Sequence, residues 1–191
     1  MSTVKTNYIE ARFAKIASCG EQIFHTDDLA RLWNITNKNT LWVTLKRYTE
    51  KGLLFRIYRG FYAIKPINKL DPLFLGIKAL HKYSYVSTET VLMKHGIIQQ
   101  LSNTITLISS KTSRFNIGEN NYYCRQLSDN RLYNSIGITT NENGVKIASP
   151  ERAVADLLYF NPKFHLDAFK QIKWSKIRKI QKELNYPLTN K

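Results

Sequence analysis

Ile9, Phe13 and Ile16 recur at i, i+4 and i+7, with Tyr8, Glu10, Arg12 and Lys15 between them, the spacing of an amphipathic helix ending at Gly20. Ile23 and Phe24 form a short apolar entry, after which Thr26 stands at the N-cap position of a second helix. Asp27 and Asp28 lie favourably against its dipole, and Leu29, Leu32 and Trp33 form its buried stripe. After Asn34-Ile35-Thr36, the run Asn37-Lys38-Asn39-Thr40 can cap a third helix. Leu41, Leu45 and Tyr48 hold that helix inward, and Lys51-Gly52 stops it. Two β-prone runs, 53–58 and 61–64, then flank Arg59-Gly60, which predicts a hairpin with the glycine at positive φ. Three helices followed by a basic hairpin is the order of a winged helix-turn-helix. The expected module covers residues 8–65, within a first domain over 1–66.

Pro66 and Pro72 bracket a boundary, and Asp71-Pro72 can start the next helix. Beyond it the pattern predicts a helix over 72–82, a short helix near Ser87, and strands over 104–109 and 122–127. Further strands are expected near 136–140 and 145–148, with helices over about 150–160, 165–172 and 175–185. A second domain over 71–191 is therefore expected to be mixed α/β, and the whole chain α+β.

Charge changes the picture. The 191 residues carry 29 Lys and Arg against 14 Asp and Glu, a formal +15, and both halves of the chain are basic. A polyanionic partner is expected. On the third helix, Asn39, Thr40, Trp42, Val43, Lys46 and Arg47 are left facing outward. Asn can pair with adenine, Arg with guanine, and Val43 can pack on a thymine methyl. Lys38, Lys46, Arg56 and Arg59 suit phosphates, which supply affinity without sequence information. A solvated basic face is the competing reading, and Trp42 fits either an exposed site or a buried one.

Other chemistry is thinly represented. Cys19 and Cys124 have no metal or redox spacing, and a reducing cytoplasm suits them best. No leader-like segment or membrane-length apolar run is expected. His25, His81, His95 and His165 fall in separate elements, and no phosphate-loop, dinucleotide or nucleophile-elbow motif is present. Neither a cofactor nor a metal is implied, and the chain does not read as an enzyme.

In the second domain, Ser149 caps a helix, Pro150 suits its first turn, and Arg152 with Asp156 forms an i, i+4 pair opposite Ala153, Val154, Leu157 and Leu158. Near the C-terminus, Ile177, Ile180 and Leu184 leave Lys176, Arg178, Lys179 and Lys182 on the other faces of a basic helix.

Two runs together resemble the AbiEi family of bacterial antitoxins. One is Leu45-Lys46-Arg47-Tyr48-Thr49-Glu50-Lys51-Gly52-Leu53-Leu54 with Tyr58-Arg59-Gly60-Phe61-Tyr62-Ala63-Ile64. The other is Ala148-Ser149-Pro150-Glu151-Arg152-Ala153-Val154-Ala155-Asp156-Leu157-Leu158, similar to the family's "ASPERALLDLL" signature. The resemblance covers roughly residues 8–160. Trp42 and Val43 depart from it, standing where relatives commonly carry polar or basic residues.

The resemblance implies an antitoxin that represses its own operon through double-stranded operator DNA and counteracts a cognate AbiEii-like nucleotidyltransferase toxin. Such type IV pairs act in abortive infection and phage defence. Glu151, Arg152 and Asp156 become candidate antitoxic or partner-contacting residues beside the plainer reading of a well-capped core helix. Lys176 and Lys179 join them on the charge of the C-terminal helix alone, which suits DNA flanks, RNA or an acidic toxin surface beside the plainer reading of a solvated face. An RNA- or protein-binding interaction module without operator preference is the alternative.

Overall fold

Apolar stripes at helical spacing define the first of two units, Met1–Leu70 and Asp71–Lys191. The computed structural model describes residues 2–99, 102–168, 170 and 172–189. Helix α1 (Ser2–Ser18), strand β1 (Ile23–His25), α2 (Thr26–Trp33), α3 (Lys38–Glu50), β2 (Phe55–Tyr58) and β3 (Phe61–Ala63) follow in order. Ile16, Leu29, Trp33, Leu41, Leu45 and Tyr48 meet in one core, with Ile9 and Phe13 packed against it. Two long polar side chains are satisfied inside that packing. The Tyr48 hydroxyl donates to the Ile9 carbonyl at 2.9 Å, and the Trp33 indole N–H donates to the Arg12 carbonyl at 3.2 Å. Truncating a side chain such as Leu45 here costs about 2–5 kcal/mol.

Local details differ from the pattern reading. Helix α1 begins well before Tyr8. His25, not Thr26, is the N-cap of α2, and its backbone N–H donates to Asp28 Oδ2 at 3.0 Å. The reason is β1: residues 23–25 pair antiparallel with β3, Ile23 opposite Ala63, so the extended backbone runs up to His25 before the helix starts. The hairpin thereby becomes a three-stranded sheet in the order β1-β3-β2. Gly60, at φ +83°, turns the hairpin, and its carbonyl accepts the Thr26 N–H at 2.9 Å. That bond ties the hairpin tip to the start of α2. A register shift between Arg56 and Tyr58 sharpens the twist of β2.

The second unit is mixed α and β. It contains α4 (Pro72–Leu80), β4 (Ser84–Val86), α5 (Glu89–Lys94), β5 (Thr104–Ser109), β6 (Ser113–Ile117), β7 (Asn120–Gln126), α6 (Asp129–Leu132), β8 (Ile138–Thr140), β9 (Lys146–Ala148), α7 (Pro150–Phe160) and α8 (Trp174–Glu183). Among the described residues its six strands run β6-β7-β5-β4-β9-β8, with β4/β9 and β5/β7 parallel and the other neighbours antiparallel. Asp71 starts α4 by accepting the Leu73 N–H at 2.8 Å. Gly76 lets α4 approach the sheet, since a Cβ there would lie 2.4 Å from the Tyr122 ring.

Three elements lack a periodic signal. β4 is three residues long, α6 is four, and β6 carries the polar Arg114 and Asn116 on an edge strand. Conversely, the helix expected over 165–172 is not formed by its described stretch 165–168, which is turn and irregular backbone; residues 169 and 171 lie outside the described residues. Among the described residues no helix is long and apolar enough to cross a membrane.

Candidate nucleic-acid interface

Helix α3 is built to present one face. Asn37 caps it by accepting the Thr40 N–H at 3.1 Å, and Leu41, Thr44, Leu45 and Tyr48 turn inward. Lys38, Asn39, Thr40, Trp42, Val43, Lys46 and Arg47 are all exposed, Trp42 by 40% and Val43 by 49%. At about 100° per residue, Asn39, Val43 and Lys46 run along the centre of the outer face. Trp42 and Arg47 flank it on opposite sides. Lys46 also lies 3.8 Å from Glu50, an exposed i, i+4 pair that a stronger anion can displace.

The hairpin stands on the Trp42 side. Trp42, Lys46 and Thr49 of α3 and Arg56, Arg59 and Tyr62 of the hairpin line one cleft of about 380 Å³. Three cations meet there beside an aromatic surface, and none of these lining residues is a carboxylate. Lys38, Asn39, Thr40, Val43 and Arg47 are exposed but lie outside the cleft, so the expected site divides into a cationic cleft and an open helix face. Thr49 and Tyr62 were not singled out from sequence. Thr49 follows Lys46 by nearly one turn, a spacing that could have placed it, whereas Tyr62 joins only through the tertiary core it shares with Leu41 and Leu45. Burial pushes the Tyr62 phenol above its ordinary range, with the Arg56 charge opposing, so it stays a neutral donor.

The residues expected to act in the second unit separate sharply. Ser149 caps α7 by accepting the Arg152 N–H at 3.1 Å, and every residue from Arg152 to Leu158 is buried. Arg152 and Asp156 are fully enclosed, which corrects their assignment to a contact surface: no partner reaches their side chains in this fold. The physical reason is that α7 packs on all sides, so its polar pair is satisfied internally. Arg152 donates from Nε to Asp156 Oδ1 at 3.0 Å and from its other nitrogens to the carbonyls of Arg131, Asn134 and Ile136 and to the Tyr85 hydroxyl. Asp156 accepts from Tyr85, Ser87 and Tyr186 as well. Glu151, by contrast, sits half-buried 3.8 Å from Lys176, and Lys179 is exposed. These three remain at the surface.

No protein-family model matches the chain, and no curated protein matches its sequence. Among solved structures, the chain is similar to the crystal structure of the RV2827C protein from Mycobacterium tuberculosis, with a TM-score of 0.58 at 9% identity. The likeness covers 95% of this chain and 72% of that one. It is a likeness of fold.

Proposed function

We propose that this protein is an AbiEi-type antitoxin and transcriptional repressor of the bacterial cytoplasm. In this reading residues 1–66 act as a winged helix-turn-helix on double-stranded operator DNA, and residues 71–191 counteract an AbiEii-like nucleotidyltransferase toxin in a type IV phage-defence pair. The observation that carries DNA binding is the cleft in which Lys46, Arg56 and Arg59 converge beside the exposed face of α3. Phosphates enter the cleft, and that contact sets the height and angle of α3. Asn39, Val43 and Arg47 then meet base edges in the major groove, where amide, methyl-packing and guanidinium groups discriminate between base pairs. The antitoxic role rests on the resemblance of residues 148–158, which reaches the surface at Glu151, and is extended on charge to Lys176, 3.8 Å from Glu151, and Lys179, rather than to the enclosed Arg152 and Asp156.

One experiment addresses both halves. The full chain and its Arg59→Ala variant are assayed for retention of upstream operator DNA against competitor DNA, and for growth rescue when co-expressed with the product of the neighbouring gene. The expected outcome is that Arg59→Ala weakens DNA retention while rescue persists. Equal retention of operator and random DNA at every salt concentration would defeat the repressor reading, and tighter retention of RNA would favour an RNA-binding module.

A further inference from the structure

On the second unit, three neighbouring strands carry two rows of side chains on one sheet face. The register sets Asn121 between Thr104 and Asn116, and two residues along it sets Tyr123 between Thr106 and Arg114. Side chains two apart share a face, so these six project together. They line an open cleft of about 360 Å³, with Glu89 of α5 and Phe164 among its other lining residues.

Asn is depleted in strands, yet Asn116 and Asn121 stand directly opposite each other, one of them in the interior of the sheet. Part of the lining is occupied: Thr106 Oγ1 donates to the Ser87 carbonyl at 2.6 Å, and Arg125 pairs with Glu89. The rest is open. Among the described residues the carboxamides of Asn116 and Asn121 make no hydrogen bond, and Arg114 has neither a hydrogen bond nor an ion pair, its guanidinium lying 4.5 Å from the Tyr123 ring centre. With Glu89 neutralised by Arg125, Arg114 leaves the cleft cationic.

The size lies at the small end of ligand sites, which span about 300–1,000 Å³, and admits one ring system rather than a peptide. Paired donor and acceptor edges, aromatic surface and an uncompensated guanidinium are the groups that recognise an unstacked base and its phosphate. We propose that this cleft binds a single unpaired nucleotide, free or as one residue of single-stranded RNA. Asn116 and Asn121 read the base edge, Phe164 offers aromatic surface, and Arg114, which like Arg125 lies over the Tyr123 ring, holds the phosphate. The site lies in the unit that the operator reading leaves without a ligand, and it does not depend on that reading.

The test uses the full-length protein, the four nucleoside 5′-monophosphates and a labelled mixed-sequence RNA of about ten nucleotides, a length within single-strand site sizes. Saturable binding is expected, weakened about tenfold or more by Asn121→Thr, whose β-branched side chain suits a strand. Arg114→Gln is expected to weaken the monophosphates by a similar factor while sparing the parent nucleosides, a split that a structural defect would not give. Displacement of the RNA by a monophosphate indicates one shared site; binding of only one of the two identifies the source. Absence of saturable binding to any probe would overturn the proposal. So would binding indifferent to both substitutions, or binding abolished by Arg59→Ala, which would move it to the first unit.

Discussion

Arg152 Nε lies 3.0 Å from Asp156 Oδ1 on the same face of α7, and both side chains are wholly withdrawn from solvent. The pair is held from outside the helix too. Tyr186, which stacks on Tyr159 at 4.3 Å, donates to Asp156 and so ties the segment after α8 to the core. Burial holds the Tyr85 and Tyr186 phenols above their ordinary range, keeping both protonated as donors. Removing one member of such a pair leaves a buried charge without its counter-ion. Asp156→Ala is therefore expected to lower unfolding free energy by about 3–5 kcal/mol. Tyr186→Phe, which deletes one hydrogen bond to a charged group, should cost about 1.5–3 kcal/mol. Urea denaturation of the two variants checks the order.

Gly137 supports the same network from the neighbouring loop. It adopts φ +68°, and a Cβ there would fall 2.8 Å from the Arg152 Cβ and 3.2 Å from Ser149 Oγ. Gly144 has a comparable φ of +74° with nothing nearby. Gly144→Ala should pay only the left-handed backbone penalty, about 1–2 kcal/mol. Gly137→Ala should exceed it by about 1–3 kcal/mol of steric strain, seen as a lower midpoint in urea. Equal losses at the two sites would show that the packing around Gly137 yields freely.

The two thiols differ in environment. Cys19 is exposed, while Cys124 is buried in β7, where burial pushes its thiol up to about 11. A disulfide reagent at neutral pH should titrate one thiol in the folded protein and two in denaturant. The unfolded thiol ionises near its ordinary value while the folded one keeps its proton, so stability falls as pH rises from about 8.5 towards 11. The fall reaches about 1.4 kcal/mol per pH unit at most. Cys124→Ala should lose that component of the alkaline slope, measurable by denaturation at pH 8 and pH 10.

Under the proposed DNA-binding reading, Arg47 and Arg59 of the first unit are expected to fail differently. Arg47 flanks the open face of α3, so Arg47→Ala should relax sequence preference by about 1–3 kcal/mol. Arg59 lies in the cationic cleft with Lys46 and Arg56. Its loss should weaken operator and random DNA alike and reduce the salt slope by about 0.9. Parallel titrations at several salt concentrations separate the two outcomes.

Trp42 joins the face to the cleft. It is 40% exposed next to Val43 at 49%, which puts apolar surface at the rim of the cationic cleft. Trp42→Ala should leave thermal stability nearly unchanged, while Trp42 fluorescence, followed in a variant lacking Trp33 and Trp174, should change on addition of operator DNA. A stability loss of the size of a core truncation would show instead that Trp42 is packing.

Local pattern alone determined α1 to α3, the hairpin after them and the capped helix at Ser149, because each depends on residues within a turn or two of one another, and composition alone determined the basic character of the chain. The outward face of α3 was legible for the same reason: once Leu41, Leu45 and Tyr48 are inward, Asn39, Val43 and Lys46 have only one direction left. Tertiary structure decided what pairing and enclosure control. Three-residue strands such as β1 and β4 have no pattern of their own and exist through their partners. Arg152 and Asp156 look like surface charges at i, i+4, and only the elements packed around α7 show that they face each other in the interior. The row of Asn116, Asn121 and Thr104 is likewise assembled by strand register, since residues dispersed over the chain become one surface only when β5, β6 and β7 align.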